Sequence, residues 1–277
     1  MPINARRFVR KMRGGAQSHL LEAEDGRWYV VKFRNNPQHR RVLVNEFLGS
    51  TVLRYLQVAT PETAIINVTQ ELLDHHPEAY LQLGSSRMPV EPGWHFGSLF
   101  PGDPSRLAVY DILPDALLSQ VTNRRDFLGA LVADKWTGNV DARQSVYFRA
   151  RLEQWNAKGR SSMKRAGFVA QMIDHGYAFG GPAWEFRDGP LDGLAPRPLV
   201  YEGVRGWADF EPWLEQVAGF PEELADKARR SVPVFWLEDD GDELDRLLET
   251  LLKRRRRVAD LISACRRARP ALFPNWR

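Results

Sequence analysis

The 277-residue chain has a single cysteine, Cys265, so it can form no internal disulfide and no thiolate zinc site of the usual kind. That usage fits a reducing compartment. No apolar run approaches the ~18 residues that a membrane span needs. The amino-terminal stretch MPINARRFVRKMRGG lacks the apolar centre of a secretory signal. Fixed-period repeats and low-complexity tracts are also absent, which argues against solenoid architectures. Nor does one sign of charge dominate: 39 Lys and Arg stand against 35 Asp and Glu. This small basic surplus suits a phosphate-bearing partner without implying nucleic acid. The expectation is a soluble cytoplasmic protein with no membrane partner. Its 43% hydrophobic content is enough for one large domain or two lobes.

The pattern that is present begins with three strand candidates. RFVRKM and HLLEA flank the loop RGGAQS, and the turn EDG leads into RWYVVKF. Alternation in the last strand puts Trp28, Val30 and Lys32 on one face and Tyr29, Val31 and Phe33 on the other. VLVNEFLGSTVLRYLQV then reads as a helix carrying Glu46 and stopped by Pro61. TAIINV and HFGSLF are further strands within residues 63–100, and helices dominate from about 103. NRRDFLGALVADKW predicts a helix ending near Trp136, with Asn123 as a candidate cap. SVYFR and GFVAQMID predict a strand pair joined by a basic loop over 150–166. GDELDRLLETLLKRRRRVADLISACRRA reads as one long amphipathic helix.

These parts suit phosphoryl transfer. Gly14 and Gly15 leave backbone amides free to converge on an anion, because no Cβ intervenes. Lys32 on the next strand would neutralise phosphate, Glu46 on the following helix would fix Lys32, and Val30 would lie against a nucleotide base. DKWTGNVDARQSVYF and Asp174 offer a proton acceptor and oxygen ligands for magnesium. The order of these parts is that of a protein-kinase-like fold.

GAQSH resembles the phosphate loop of HipA-type kinases, roughly glycine, alanine, glutamine, any residue, lysine, with His19 standing in the lysine position. DKWTGNVDARQSVYF is similar to the catalytic segment of HipA-like and type II phosphoinositide kinases, and MIDHG resembles their second metal position. The resemblance implies Asp141 as catalytic aspartate, Asp174 as the main magnesium ligand, Lys32 gripping ATP and Gln17 within the nucleotide loop. It also marks a departure: the family's metal-binding asparagine would fall at Val146, so Gln144 is the candidate replacement. A second register pairs Asp134, as base, with Asn139 as metal ligand. Met12 stands where HipA toxins carry an inhibitory serine, so that regulation is not expected.

The resulting expectation is an α+β, two-lobed protein-kinase-like fold. Residues 1–100 would form a sheet-rich lobe and 101–277 a helical lobe, together one catalytic domain joined near LFPGD. Its activity would be ATP- and Mg-dependent phosphorylation of serine or threonine on an unidentified protein, under a regulatory partner. The alternatives are a nucleotide-binding pseudokinase, a kinase for a small molecule or lipid, and a basic nucleic-acid binder. His75 and His76 read as solvated, the run KRRRR as an exposed helix face, and the tryptophans as core.

Overall fold

The computed structural model describes residues 1–151 and 166–277. The basic loop expected between the paired strands lies largely outside the described residues. The protein is a mixed α+β fold, strand-rich in its N-terminal region and helical in its C-terminal part.

Strands β1 (Ile3–Lys11), β2 (His19–Ala23) and β3 (Trp28–Lys32) form an antiparallel meander. It continues into a closed five-stranded barrel through β4 (Thr63–Val68) and β7 (Gly93–Leu99). Alternation in β3 decides what faces where: Tyr29, Val31 and Phe33 fill the barrel with Phe8 and Leu21, and Val30 and Lys32 face out toward a cleft. Helix α1 (Arg41–Tyr55) packs outside the barrel and is buried on nearly all sides, and Glu46 is part of that buried surface. Between β4 and β7 the chain adds a short helix α2 (Gln70–Asp74) and a hairpin, β5 (Tyr80–Leu83) with β6 (Ser86–Pro89). The sequence reading left this stretch irregular.

After β7 come a two-residue strand β8 (Val109–Tyr110) and α3 (Asp115–Leu118). Helix α4 (Asp126–Thr137) is the centre of the C-terminal part, and its residues from Phe127 to Thr137 are all buried. It stops at Gly138, whose left-handed φ of 60° supplies the usual helix-terminating geometry. Asn123 does not act as its side-chain cap; its amide bonds Asp126 and the backbone of Ala170 instead. Strands β9 (Gln144–Arg151) and β10 (Ala166–Ile173) pair antiparallel in full register, with β8 on the outer edge.

Around α4 pack α5 (Trp213–Ala218), α8 (Gly241–Arg254) and α9 (Val258–Ala268), with α6 (Glu222–Ser231) against α8 and α7 (Val234–Leu237) against α1. Trp136 and Trp236 are wholly buried, as expected of core tryptophans, but Trp207 is exposed. The predicted single C-terminal helix is two helices, broken by a 3-10 turn at Arg255–Arg257. The arginines of the charge run point to different partners around this break, as described below.

The barrel holds two buried neutral histidines, each 5.2 Å from the Phe33 ring. Burial pushes His19 down to about 4 and His95 down to about 3. A histidine depressed in the folded state binds its proton more readily when unfolded. Its contribution to stability is therefore complete above the ordinary value of 6.5 and falls as the pH drops toward the folded value. Urea unfolding followed from pH 7 to pH 4 should show stability falling by at most about 1.4 kcal/mol per pH unit per histidine. In His19→Leu that slope should be smaller.

Candidate active site

Between the barrel and the β8–β9–β10 sheet lies a cleft of about 600 Å³. Its barrel wall carries Gly14, Val30, Lys32, Phe96 and Ser98, and the opposite wall carries Gln144, Val146, Gln171, Ile173 and Asp174. Leu99, Phe100 and Pro101, leaving β7, close one end.

At the inner end Lys32 is 8% exposed and donates to Asp174 Oδ1 at 2.7 Å and to Glu46 Oε1. Burial alone would lower the Lys32 ammonium, but the two carboxylates outweigh it and hold the group well above its ordinary range. Burial pushes Glu46 up. It works the same way on Asp174, where the Lys32 charge prevails and the carboxyl lies below its ordinary value. Two carboxylates facing one ammonium leave the centre net negative, as a divalent cation requires. Asp174 itself has a left-handed φ of 59°, a conformation that a non-glycine residue keeps only when its surroundings enforce it. Gly176 is demanded by the packing of α1 at the same point: a Cβ there would meet Val42 at 2.8 Å and Glu46 Oε1 at 3.3 Å.

The two candidate bases lie in opposite environments. Asp134 is 1% exposed, and its Oδ2 accepts from Arg143 Nε at 2.8 Å. Its Oδ1 accepts from Asn139 Nδ2 at 3.0 Å and from a second Arg143 nitrogen. Neither Asp134 nor Asn139 lines the cleft; both border only a crevice of about 10 Å³. Asp141 stands on an exposed turn, with Oδ1 accepting from Ala142 N at 2.7 Å and Oδ2 3.5 Å from Gln144 Nε2. It is itself outside the cleft lining, beside Gln144, which is inside.

In the glycine loop, Gly14 lines the cleft with a φ of 118°, open to substitution in space but not in backbone conformation. Gly15 faces Gln38 rather than the cleft. Gln17 turns away as well: its amide donates to Gln82 O at 2.7 Å and accepts from Gln82 N, tying the loop to β5. His19 faces the barrel interior between Phe8 and Phe33, and its Nε2 has no partner among the described residues. Among the described residues no cluster of three His, Cys, Asp or Glu could hold a metal by itself, and His75 and His76 make no such set. The net-negative pocket with Asp174 and the Gln144 amide nevertheless fits magnesium, which takes few protein ligands when phosphates supply others.

Several residues here drew no role from sequence. Arg143, fully buried, also donates to Ile173 O and faces His175 Nδ1, each at 2.9 Å. Burial works against the Arg143 charge, but Asp134 more than offsets this and raises the group. Arg254, read as part of an exposed basic face, is 4% exposed. It donates to the carbonyls of Lys135 and Trp136 at 3.0 Å, closing the C-terminus of α4, and to Asp188 at 2.7 Å. Lys135 in turn donates to the carbonyls of Gly189, Pro190 and Asp192. Arg255 is half-buried and donates to Phe220 O, whereas Lys253, Arg256 and Arg257 keep the exposed character expected of the run, Arg257 with a surface ion pair to Asp188. A charge run next to the last turn of a helix hints at such capping, but which arginine turns inward is decided by tertiary packing.

A cleft between a strand barrel and the small sheet of the helical C-terminal part, with a lysine–glutamate pair at its inner end, defines a protein-kinase-like fold. Two solved structures of the Golgi casein kinase share it. One, with Mn and ADP bound, matches with a TM-score of 0.52 at 13% identity, over 97% of this chain and 73% of that one. The other also has a TM-score of 0.52 at 13% identity, over 96% and 74%. Identity that low speaks for the fold alone. The sequence is more specific: the HipA-like kinase family model matches residues 6–146, just over half of the chain. The chain belongs to that family and is a kinase. A comparison with curated proteins returns no match.

Replacing Arg143 by Met would strand the buried Asp134 charge. Arg143→Met should lower stability by about 3–5 kcal/mol, read from urea unfolding midpoints. Asp134→Asn with Arg143→Met should recover part of that loss.

Proposed function

We propose that the protein is an ATP- and Mg-dependent phosphotransferase acting on serine or threonine hydroxyls of a protein. The observation that carries this reading is Lys32, buried between Glu46 and Asp174 at the inner end of a 600 Å³ cleft roofed by Gly14. A cleft of this size suits a nucleotide. Residues 1–100 and 101–277 act as the two lobes of one catalytic domain, and the single buried cysteine suits the cytoplasm.

In this reading Val30 and Phe96 cover the base from the barrel, and Val146 and Ile173 support it from the other side. The Gly14 region and Lys32 bind the phosphates, while Glu46 holds Lys32 in place. Asp174 and Gln144 hold magnesium, which when bound offsets phosphate charge. Asp141 is the catalytic aspartate: it is exposed, and its carboxylate can orient the acceptor hydroxyl and take its proton as transfer proceeds. Asp134 cannot do so without abandoning Arg143, so it and Asn139 brace the turn instead. Gly15 and Gln17 shape the glycine loop.

The test is transfer of labelled γ-phosphate from ATP to a protein acceptor, or to the protein itself, in the presence of magnesium. Asp141→Asn should lower kcat by about 10²–10⁴-fold and leave nucleotide affinity nearly unchanged. Lys32→Met should weaken nucleotide binding. Binding without transfer in the wild-type protein, unaltered by Asp141→Asn, would favour a nucleotide-binding pseudokinase. Transfer to lipid or a small molecule alone would move the acceptor class.

A further inference from the structure

A chain of buried hydrogen bonds runs behind Asp174, and its polarity is fixed at every link. Arg143 Nη1 lies 2.9 Å from His175 Nδ1. A guanidinium only donates, so Nδ1 carries the lone pair and the ring hydrogen sits on Nε2. Nε2 lies 3.2 Å from Thr60 Oγ1, which therefore accepts, and the Thr60 hydroxyl donates to Met172 O at 2.9 Å. Met172 N donates to Ala59 O at 2.8 Å, and Ile173 O accepts from Arg143. The backbone before Asp174 and the side chain after it are thus held by groups outside its own strand. Helix α1 presses on the same ring, for a Cβ at Gly49 would stand 2.6 Å from His175 Cβ.

We propose that Thr60, His175 and Arg143 are positioning residues that keep Asp174 in its left-handed conformation and tie it to the turn bearing Asp141. Arg143 is the link: it stands two residues beyond Asp141, is anchored on Asp134, and reaches the segment that presents Asp174. The carboxylate assigned to the metal and the one assigned to the acceptor hydroxyl are therefore set by one guanidinium. An aromatic ring at position 175 would fill the same volume but offer no acceptor, leaving a buried Arg143 N–H unpaired. This inference rests on the assignment of Asp174 to the metal.

The experiment has two arms. In the first, the protein is labelled with ¹⁵N-histidine, and nitrogen chemical shifts read the tautomer of each of the six histidines. Loss of one signal in His175→Asn assigns it. The expected result is His175 as the Nε2–H form, and an Nδ1–H form would overturn the chain of bonds. In the second, binding of a fluorescent ATP analogue is titrated with Mg²⁺ and Mn²⁺. Thr60→Val and His175→Phe should raise the metal midpoint about 10–100-fold, with metal-free nucleotide affinity within about twofold. Thr60→Ser, which restores the hydroxyl, and His175→Asn, which places an amide oxygen where Nδ1 was, should recover most of it. A folded Thr60→Val with the wild-type metal midpoint overturns the proposal even if His175→Phe does not fold. If the wild-type protein shows no metal-dependent binding, the functional reading and the positioning role of the three residues fall together. In that case the tautomer arm still decides whether the bonds exist.

Discussion

The Lys32 ammonium, removed from water and shared by two carboxylates, is the constraint around which the molecule is arranged. Its three members come from β3, α1 and the end of β10, so the barrel, its outer helix and the three-stranded sheet must meet at one point. A buried charge without its partner costs several kcal/mol, which makes each of these contacts obligatory once the others exist. The same point explains neighbours that carry no charge. At Gly176 a side chain would run into Val42 and then Glu46, both from α1, and α1 is buried nearly all round because it is enclosed by the elements that converge there.

A second buried ion pair, Asp134 with Arg143, applies the same logic one turn away. It fastens the turn after α4 to the backbone entering Asp174, the C-terminus of α4 is itself closed by Arg254, and Lys135 ties the last turn of the helix to the loop at 189–192. Lys135 shows how far this goes: burial lowers its charge affinity, and three carbonyl oxygens replace the water it has lost. The exposed turn at Asp141 is therefore mounted on a rigid base. A flexible surface loop would lose that alignment.

Much of this plan was legible in the chain. The order of glycine loop, lysine strand and acid helix rests on local patterns, period-two alternation in β3 and helical spacing in α1, and those patterns survive into the fold. The strand that follows the turn favoured Asp141 over Asp134 in the sequence, but their opposite burial was not legible, since both lie in one short stretch and it is Arg143, reaching back from beyond the turn, that encloses Asp134. The C-terminal basic run misled for a related reason. Charge runs are usually solvated, and only the arrival of α4's open carbonyls turns Arg254 inward. The β5–β6 hairpin escaped notice because its strands are only four residues each, with one buried anchor in Leu81.

The departures from the family pattern differ in weight once geometry is considered. His19 replaces a lysine in sequence, yet its ring is packed against Phe8 and Phe33 inside the barrel, away from the cleft. No phosphate-binding cation is lost from the cleft by a side chain that does not face it. Val146 is another matter, because it lies in the cleft lining and can offer a metal nothing. Gln144 stands in the same lining, directly across the β9–β10 ladder from Ile173 and so beside Asp174, with an amide oxygen of the kind a hard cation accepts. A neutral amide two residues earlier in the strand thus occupies the neighbourhood that Val146 leaves without an oxygen. The net-negative Lys32 centre supplies the charge such a ligand lacks. In the proposed role of Asp174 as metal ligand, a valine at 146 leaves more of that task to Asp174 and the nucleotide, and the fixed orientation of Asp174 matters more.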